Sequence, residues 1–390
     1  MNPYQIIIPT KVYFGRNIWK KVLKEQETVL QGNIMLVTTG RSLRKLGYVE
    51  ELHKQIQQCA SVRKVIEFDN ISANPKLSEV QSGILLGQQE KADVIVGFGG
   101  GSSIDAAKAI AAGIREKEGI DAFFYQGKEP GVDTLPVIAL PTTAGTGSEL
   151  SKAAIITDEV HKVKNGIRGK ALYPVLAVVD SIFTESVPFR VTMETGFDVL
   201  AHAAESYISR AASPYTKMQS ETAIQIVGKY LPRLREELSD IEAREKLCFA
   251  SMIMGINLGN ASTCLPHRLQ YPIGAHTDTS HGAGLAALFP AWVRCEYPYA
   301  TEQVERILNL MTGREVHGEA ECTEAVYQFI QALGLPSSLQ KIGIRKEQLP
   351  IMADEVSGNI GNDPASREEG IIMRLYETAW QEEIAECRQS

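Results

Sequence analysis

Several things are scarce in this 390-residue chain, and each absence excludes something. No stretch reaches the roughly 18 consecutive apolar residues that a membrane-spanning helix needs. The opening residues, MNPYQIIIPTKVYFG, have no basic segment leading into a long apolar core, so no secretory leader is expected. The six cysteines, at positions 59, 248, 264, 295, 322 and 387, contain no CxxC pair, which points to reduced thiols and a cytoplasmic setting, not a disulfide scaffold. Positive charge is not in excess either. With 40 Lys and Arg against 47 Asp and Glu, the net charge of -7 makes nucleic acid or an anionic membrane a poor partner. The one basic stretch, HKVKNGIRGK (161–170), is short and mixed and reads as a solvated turn between strands.

What is present is ordinary globular composition, 44% hydrophobic and 22% charged, in a chain long enough for two or three domains. From about residue 30 to 185, β-branched runs alternate with helical stretches. IMLVTT (34–39), VRKVIEF (62–68), ADVIVGFGG (92–100), LPVIAL (135–140), AAIIT (153–157) and LAVVD (176–180) read as strands. RSLRKLGYVEELHKQIQQ (41–58) and LSEVQSGILLGQQEKA (77–92) read as helices between them. Such alternation builds a mostly parallel sheet with helices on both faces. After VPFRVT (187–192) the β-branched runs stop, and Ala-, Leu- and Glu-rich stretches continue to the end. The expected architecture is an α/β dinucleotide-binding domain over residues 1–185 and an all-α domain over 186–390 that carries the metal and substrate. A ligand is expected beyond the carboxyl ends of the strands, in the cleft between the domains.

Two loops suit phosphate. In VIVGFGGGSSIDAAKAI (94–110) an apolar strand runs into Gly99, Gly100 and Gly101, and Ser102 and Ser103 open a helix. Glycines admit a close backbone approach, and a helix N-terminus offers free N–H groups and a positive dipole end. Asp105, early in that helix, either supports the anion site or bonds the turn. A second loop, LPTTAGTGSELS (140–151), offers Thr142, Thr143, Thr146, Gly147 and Ser148. Position 102 is Ser, so GxGxxG is not complete, and a glycine-rich turn without a ligand remains open.

The stretch GFDVLAHAAE (196–205) places Asp198 and His202 one turn apart on one helix face. They either satisfy one another or face a third group. His267 and His281 stand as polar islands in NASTCLPHRLQYPIGAHTDTSHGAGLAALFP (260–290). One carboxylate and three imidazoles form a donor set that Fe²⁺ or Zn²⁺ accepts, with space left for a substrate oxygen. By spacing alone, unrelated histidines near turns are an equal alternative.

Taken together, VYFG, GGGSSIDAAK, PTTAGTGSE, GFDVLAHAAE and HGAGLAALFP, in order and in register, resemble the iron-containing (group III) alcohol dehydrogenase family. The resemblance implies a dinucleotide-binding domain, a helical metal domain and a homodimer. It implies metal ligation by Asp198, His202, His267 and His281, with Fe²⁺ ahead of Zn²⁺. It also implies NAD or NADP held by Gly99, Gly100, Gly101, Ser102 and Asp105, with Thr142, Thr143, Thr146 and Ser148 along the inner half of the cofactor and Lys162 or Lys164 facing it. The activity implied is hydride transfer between the nicotinamide and an aldehyde or alcohol, the metal acting as Lewis acid. Two rival readings are a lyase resembling dehydroquinate synthase, which also uses NAD and a metal, and a cofactor-binding protein without catalysis.

Two positions depart from the family, and the choice of cofactor is open as well. Tyr271 stands where many members have a proton-relaying histidine; a reference pKa near 10 suits that task poorly at neutral pH, so either Tyr271 relays, or ribose hydroxyls and water do, or Tyr271 simply packs. Arg268 adjoins His267 where relatives commonly have a small residue. It either turns away to pair with an acid or reads an anionic group on the substrate, with His276 assisting, as in sulfoacetaldehyde or phosphonoacetaldehyde. Finally, TTGRSLRK (38–45) has no acid for a ribose 2′-hydroxyl; Thr39 ends the strand, and Arg41 or Arg44 suits a 2′-phosphate, which leaves NAD and NADP both open.

Overall fold

The structure, a computed structural model, describes residues 3–39 and 41–381. The described residues divide into two compact units, one within 8–187 and the other within 188–381 together with 3–7. Among the described residues no single helix is long and apolar enough to cross a membrane. The five described cysteines are buried free thiols, and Cys387 lies outside the described residues.

The first unit holds β1 (Lys11–Gly15), β2 (Gly32–Thr38), β3 (Val62–Phe68), β4 (Val94–Gly99), β5 (Val137–Pro141), β6 (Ala153–Asp158), β7 (Val163–Arg168) and β8 (Leu176–Asp180). Six of them form one parallel sheet in the order β1-β8-β5-β4-β2-β3. Between them run α1 (Trp19–Glu25), α2 (Arg41–Lys45), α3 (Tyr48–Gln57), α4 (Leu77–Gln89), α5 (Gly101–Gly113) and α6 (Asp121–Phe124). Side chains alternate along a strand, so one sheet feeds two cores. Ile34, Leu36, Val94, Val96 and Phe98 join Leu52 and Ile56 of α3 in one, whereas Met35, Val37 and Ile95 join Val80 of α4 and Ile110 of α5 in the other. Burial on both faces is why β2 and β4 read as continuous apolar runs.

Two expectations need correction. Residues 161–170 are not a solvated turn. Val163–Arg168 is β7, paired antiparallel with β6, and Lys164 and Ile167 on it are buried. Its Lys, Asn and Gly are weak strand formers, and the pairing with β6 overrides them. The stretch 41–58 is not one helix either, because Gly47 turns left-handed (φ 75°) between α2 and α3.

The second unit is built from α7 (Phe189–Ile208), α8 (Pro214–Glu236), α9 (Ile241–Asn260), α10 (Leu265–Thr277), α11 (His281–Glu296), α12 (Thr301–Thr312), α13 (Gly318–Ala332), α14 (Leu349–Asp354) and α15 (Ile371–Trp380). Helix starts are marked in the sequence. Ser213 caps α8 by accepting from Thr216 N, with Pro214 at the first helical position, and Asp240 caps α9 by accepting from Ala243 N. Phe197 of α7 meets Phe289 of α11 edge-on, with centroids 5.3 Å apart. Such a pair adds about 0.5–1.5 kcal/mol beyond area burial and fixes α7 against α11. The Tyr376 hydroxyl donates to Leu269 O at 2.6 Å, tying α15 to α10. A parallel-sheet unit and a largely helical unit are thus the fold class the sequence led us to expect.

Candidate metal centre and nucleotide loops

Three helices of the second unit converge on one carboxylate oxygen. Asp198 and His202 lie one turn apart on α7, His267 lies in the first turn of α10, and His281 is the first residue of α11. Around Asp198 Oδ1 stand His202 Nδ1 at 3.4 Å, His267 Nε2 at 3.4 Å and His281 Nε2 at 3.8 Å. The His202 and His267 rings stack with centroids 4.3 Å apart. One donor atom each from Asp198, His267 and His281 lie within 4.8 Å of one another.

The donors fit a divalent cation. Asp198 Oδ1 and His267 Nε2 are sealed from solvent, and neither makes a protein hydrogen bond. Leaving such groups unmade is costly unless something else satisfies them. Two ligands about 2.1 Å from a tetrahedral cation lie about 3.4 Å apart, which matches the spacing seen here. Electrostatics agree. Burial alone would raise the Asp198 carboxyl, but the imidazoles of His202, His281 and His267 outweigh it and hold it well below the usual range. Burial would likewise lower His267, yet Glu205 and Asp198 push it up to about 10. The pocket favours positive charge.

Two residues that the sequence reading passed over complete it. Glu205 Oε1 meets His267 Nδ1 at 2.5 Å, and Glu205 Oε2 accepts from Cys264 N at 2.7 Å. Gln270 Oε1 meets His281 Nδ1 at 2.5 Å. The available signal was a polar residue three positions after a ligand histidine, which is the same helix face.

Arg268 is 6% exposed, yet no carboxylate among the described residues reaches it. Its guanidinium lies 5.7 Å from the Tyr271 ring centroid, and its Nε is sealed without a partner. A desolvated cation–π contact contributes about 2 kcal/mol. Burying an ion costs several kcal/mol even after relaxation, so the tyrosine does not balance it. The alternative in which Arg268 pairs with an acid is therefore not realised among the described residues. His276 Nε2 meets Glu355 Oε2 at 2.6 Å.

In the first unit, the glycine-rich turn joins β4 to α5 and packs on the second loop. Thr142 N donates to Gly99 O at 2.9 Å. A Cβ on Gly101 would meet Thr146 at 2.6 Å, so glycine there lets the loops close on one another. Thr143 lies against Gly100, and Thr39 N donates to Ser103 Oγ at 3.1 Å. Ser102 Oγ donates to Ala73 O. Asp105 braces the loops: its oxygens accept from Ser148 Oγ and, at 2.9 Å, from Ile155 N, and buried Lys108 adds a bond to Ser148 O at 2.9 Å. Lys164 Nζ donates to Asn74 Oδ1 at 3.2 Å, whereas Lys162 is exposed at the β6–β7 turn. Arg44 is engaged by Glu50 (3.0 Å), Glu67 (2.7 Å) and Asp69 (3.1 Å); Arg41 is exposed and meets no carboxylate among the described residues.

The family model described as iron-containing alcohol dehydrogenase matches residues 9–181, and that described as the C-terminal part of the Fe-containing alcohol dehydrogenase family matches 192–380. The 1,3-propanediol dehydrogenase of Klebsiella pneumoniae is 30% identical over 387 residues, covering 97% of this chain and 99% of its own. The lactaldehyde reductase of Escherichia coli is 30% identical, covering 87% and 94%. A solved structure of the sulfoacetaldehyde reductase of Bifidobacterium kashiwanohense with NAD⁺ superposes with a TM-score of 0.85 at 26% identity, covering 97% and 98%.

Proposed function

The chain belongs to the iron-containing alcohol dehydrogenase family, and on that footing we propose that it moves hydride between a nicotinamide cofactor and a short-chain aldehyde or alcohol at a divalent metal. The observation that carries this reading is the donor set around Asp198 Oδ1, in which that oxygen and His267 Nε2 are sealed without a hydrogen-bond partner. Asp198, His202, His267 and His281 hold the cation, Fe²⁺ ahead of Zn²⁺. When bound, it supplies Lewis-acid polarisation of a carbonyl, while the nicotinamide supplies the hydride. The first-turn N–H groups of α5, with Gly99, Gly100, Gly101 and Ser102, receive the pyrophosphate. Thr142, Thr143 and Thr146 line the inner half of the cofactor, with Lys164 beside them, while Asp105 and Ser148 keep the loops in place. Thr39 and Arg41 stand at the adenine end. Three carboxylates around Arg44 disfavour a 2′-phosphate, which supports NADH ahead of NADPH. The same reading makes the protein a cytoplasmic homodimer acting on small molecules.

The substrate we propose is an anionic short-chain aldehyde, with sulfoacetaldehyde and phosphonoacetaldehyde as examples. A buried guanidinium without an acid supports it, since a sulfonate or phosphonate would supply the missing bidentate partner. Tyr271 holds that guanidinium in place. The test is NADH and NADPH oxidation by protein reconstituted anaerobically with Fe²⁺, comparing both anionic aldehydes with propanal in wild type and Arg268→Ala. The anionic aldehydes should lead by about tenfold or more in kcat/KM, about 1.4 kcal/mol, and the substitution should erase that lead. Equal rates with propanal, or a preference that survives the substitution, would remove the anionic substrate. Loading of the protein with metal but no turnover of any aldehyde would remove the dehydrogenase itself.

A further inference from the structure

Two of the candidate ligand histidines are each held by a residue on the preceding ligand-bearing helix, three positions after its histidine. Glu205 follows His202 on α7 and holds His267; Gln270 follows His267 on α10 and holds His281. An imidazole that donates Nδ1–H keeps its lone pair on Nε2. Nε2 is the nitrogen facing Asp198 in both rings. Each acceptor therefore selects the tautomer that leaves Nε2 open to a cation.

The two acceptors differ in kind. Glu205 is a fully buried carboxylate whose second oxygen is fixed by Cys264 N; while ionised it can only accept. Gln270 is a neutral amide that can present either end. Its Nε2 is sealed and has no partner, so a half-turn of the amide breaks no other hydrogen bond. Gly284 leaves the space, since a Cβ there would lie 3.0 Å from Gln270 Cγ and 3.2 Å from its Nε2. The half-turn would aim N–H at His281 Nδ1 and withdraw the acceptor that orients the ring. Solvent reaches this side chain most among the four: His281 is 27% exposed, and Asp198, His202 and His267 are 5% or less.

We propose that the site holds its metal asymmetrically, with Glu205 fixing His267 as the permanent ligand and the Gln270 amide making His281 the ligand that releases first, so that metal enters and leaves past His281. This rests on the metal reading of the cluster. Co²⁺ serves as probe, with its visible absorption giving affinity and chelator-driven release giving the rate. The variants Glu205→Gln and Gln270→Glu exchange the acceptor types. Glu205→Gln should weaken Co²⁺ binding about 10- to 100-fold. Gln270→Glu should slow release several-fold, and Gln270→Met, which only removes the acceptor, should speed it. Metal-free melting temperatures identify any variant that is merely misfolded, and Gln270→Met carries the test should Gln270→Glu not fold. Release rates within twofold of wild type in the Gln270 variants, or an unchanged affinity in Glu205→Gln, would overturn the asymmetry. Wild-type protein with no Co²⁺ band would instead overturn the metal reading.

Discussion

Asp198→Asn should lower kcat/KM by about a thousandfold or more, about 4 kcal/mol of transition-state stabilisation. Lewis-acid catalysis supplies several kcal/mol, and the substitution removes the only negative charge among the four proposed ligands while keeping their shape. Asp198 Oδ1 is the atom around which the three imidazoles gather, so its charge decides whether a cation stays. A second readout separates lost metal from lost fold. A cation at 100 times its Kd stabilises wild type by about 2.7 kcal/mol through linkage, and its melting temperature should rise accordingly. The melting temperature of Asp198→Asn should not respond to metal. A variant that keeps both the activity and the metal-dependent rise would show that the cation, and the chemistry, lie elsewhere.

How much of this was legible beforehand follows from how far each feature depends on local pattern. The parallel strands announced themselves because burial on both faces demands unbroken apolar runs such as IMLVTT and VIVGFG. Asp198 and His202 were visible from helical spacing, and His267 and His281 as polar islands in apolar surroundings. Features set by tertiary partners left weaker traces. β7 was missed because KNG is a poor strand by propensity and exists through its pairing with β6. Glu205 and Gln270 sit at a readable +3 spacing, but which histidine each holds depends on where α10 and α11 cross. Asp105 by position offered either an anion-site role or a bond to the turn, and the partners of its two oxygens, Ser148 and Ile155, are set by tertiary packing that the sequence does not display. For Arg268 the decisive fact was the lack of a nearby acid, which no single sequence can display.

Glu296→Gln should stabilise the protein, and the gain should grow with pH. Glu296 closes α11, the helix that His281 opens, and is fully buried beside Asp363. Asp363 Oδ2 accepts from Leu265 N at 3.1 Å, two residues before His267, and from Trp292 Nε1 at 3.0 Å. Ala365 N donates to both acids, at 3.0 Å to Asp363 and 3.3 Å to Glu296. Burial, and then the charge of Asp363 and a hydrogen bond to it, push the Glu296 carboxyl up to about 10 from 4.5. The folded protein therefore binds a proton here that the unfolded chain releases. For a raised carboxyl this contribution is complete below about pH 4.5 and is lost as pH rises towards 10, at no more than about 1.4 kcal/mol per pH unit. Glutamine carries the neutral donor at every pH and removes that slope. Near pH 5 the two proteins should melt together. By pH 8 the substitution should lead by about 2–4 kcal/mol, or about 4–8 °C for every 2 kcal/mol in a unit of this size. Melting curves from pH 5 to 9 decide it: a gap that does not widen with pH would mean that Glu296 is ionised in the fold and that the link between the start of α10 and residues 363–365 works without a shared proton.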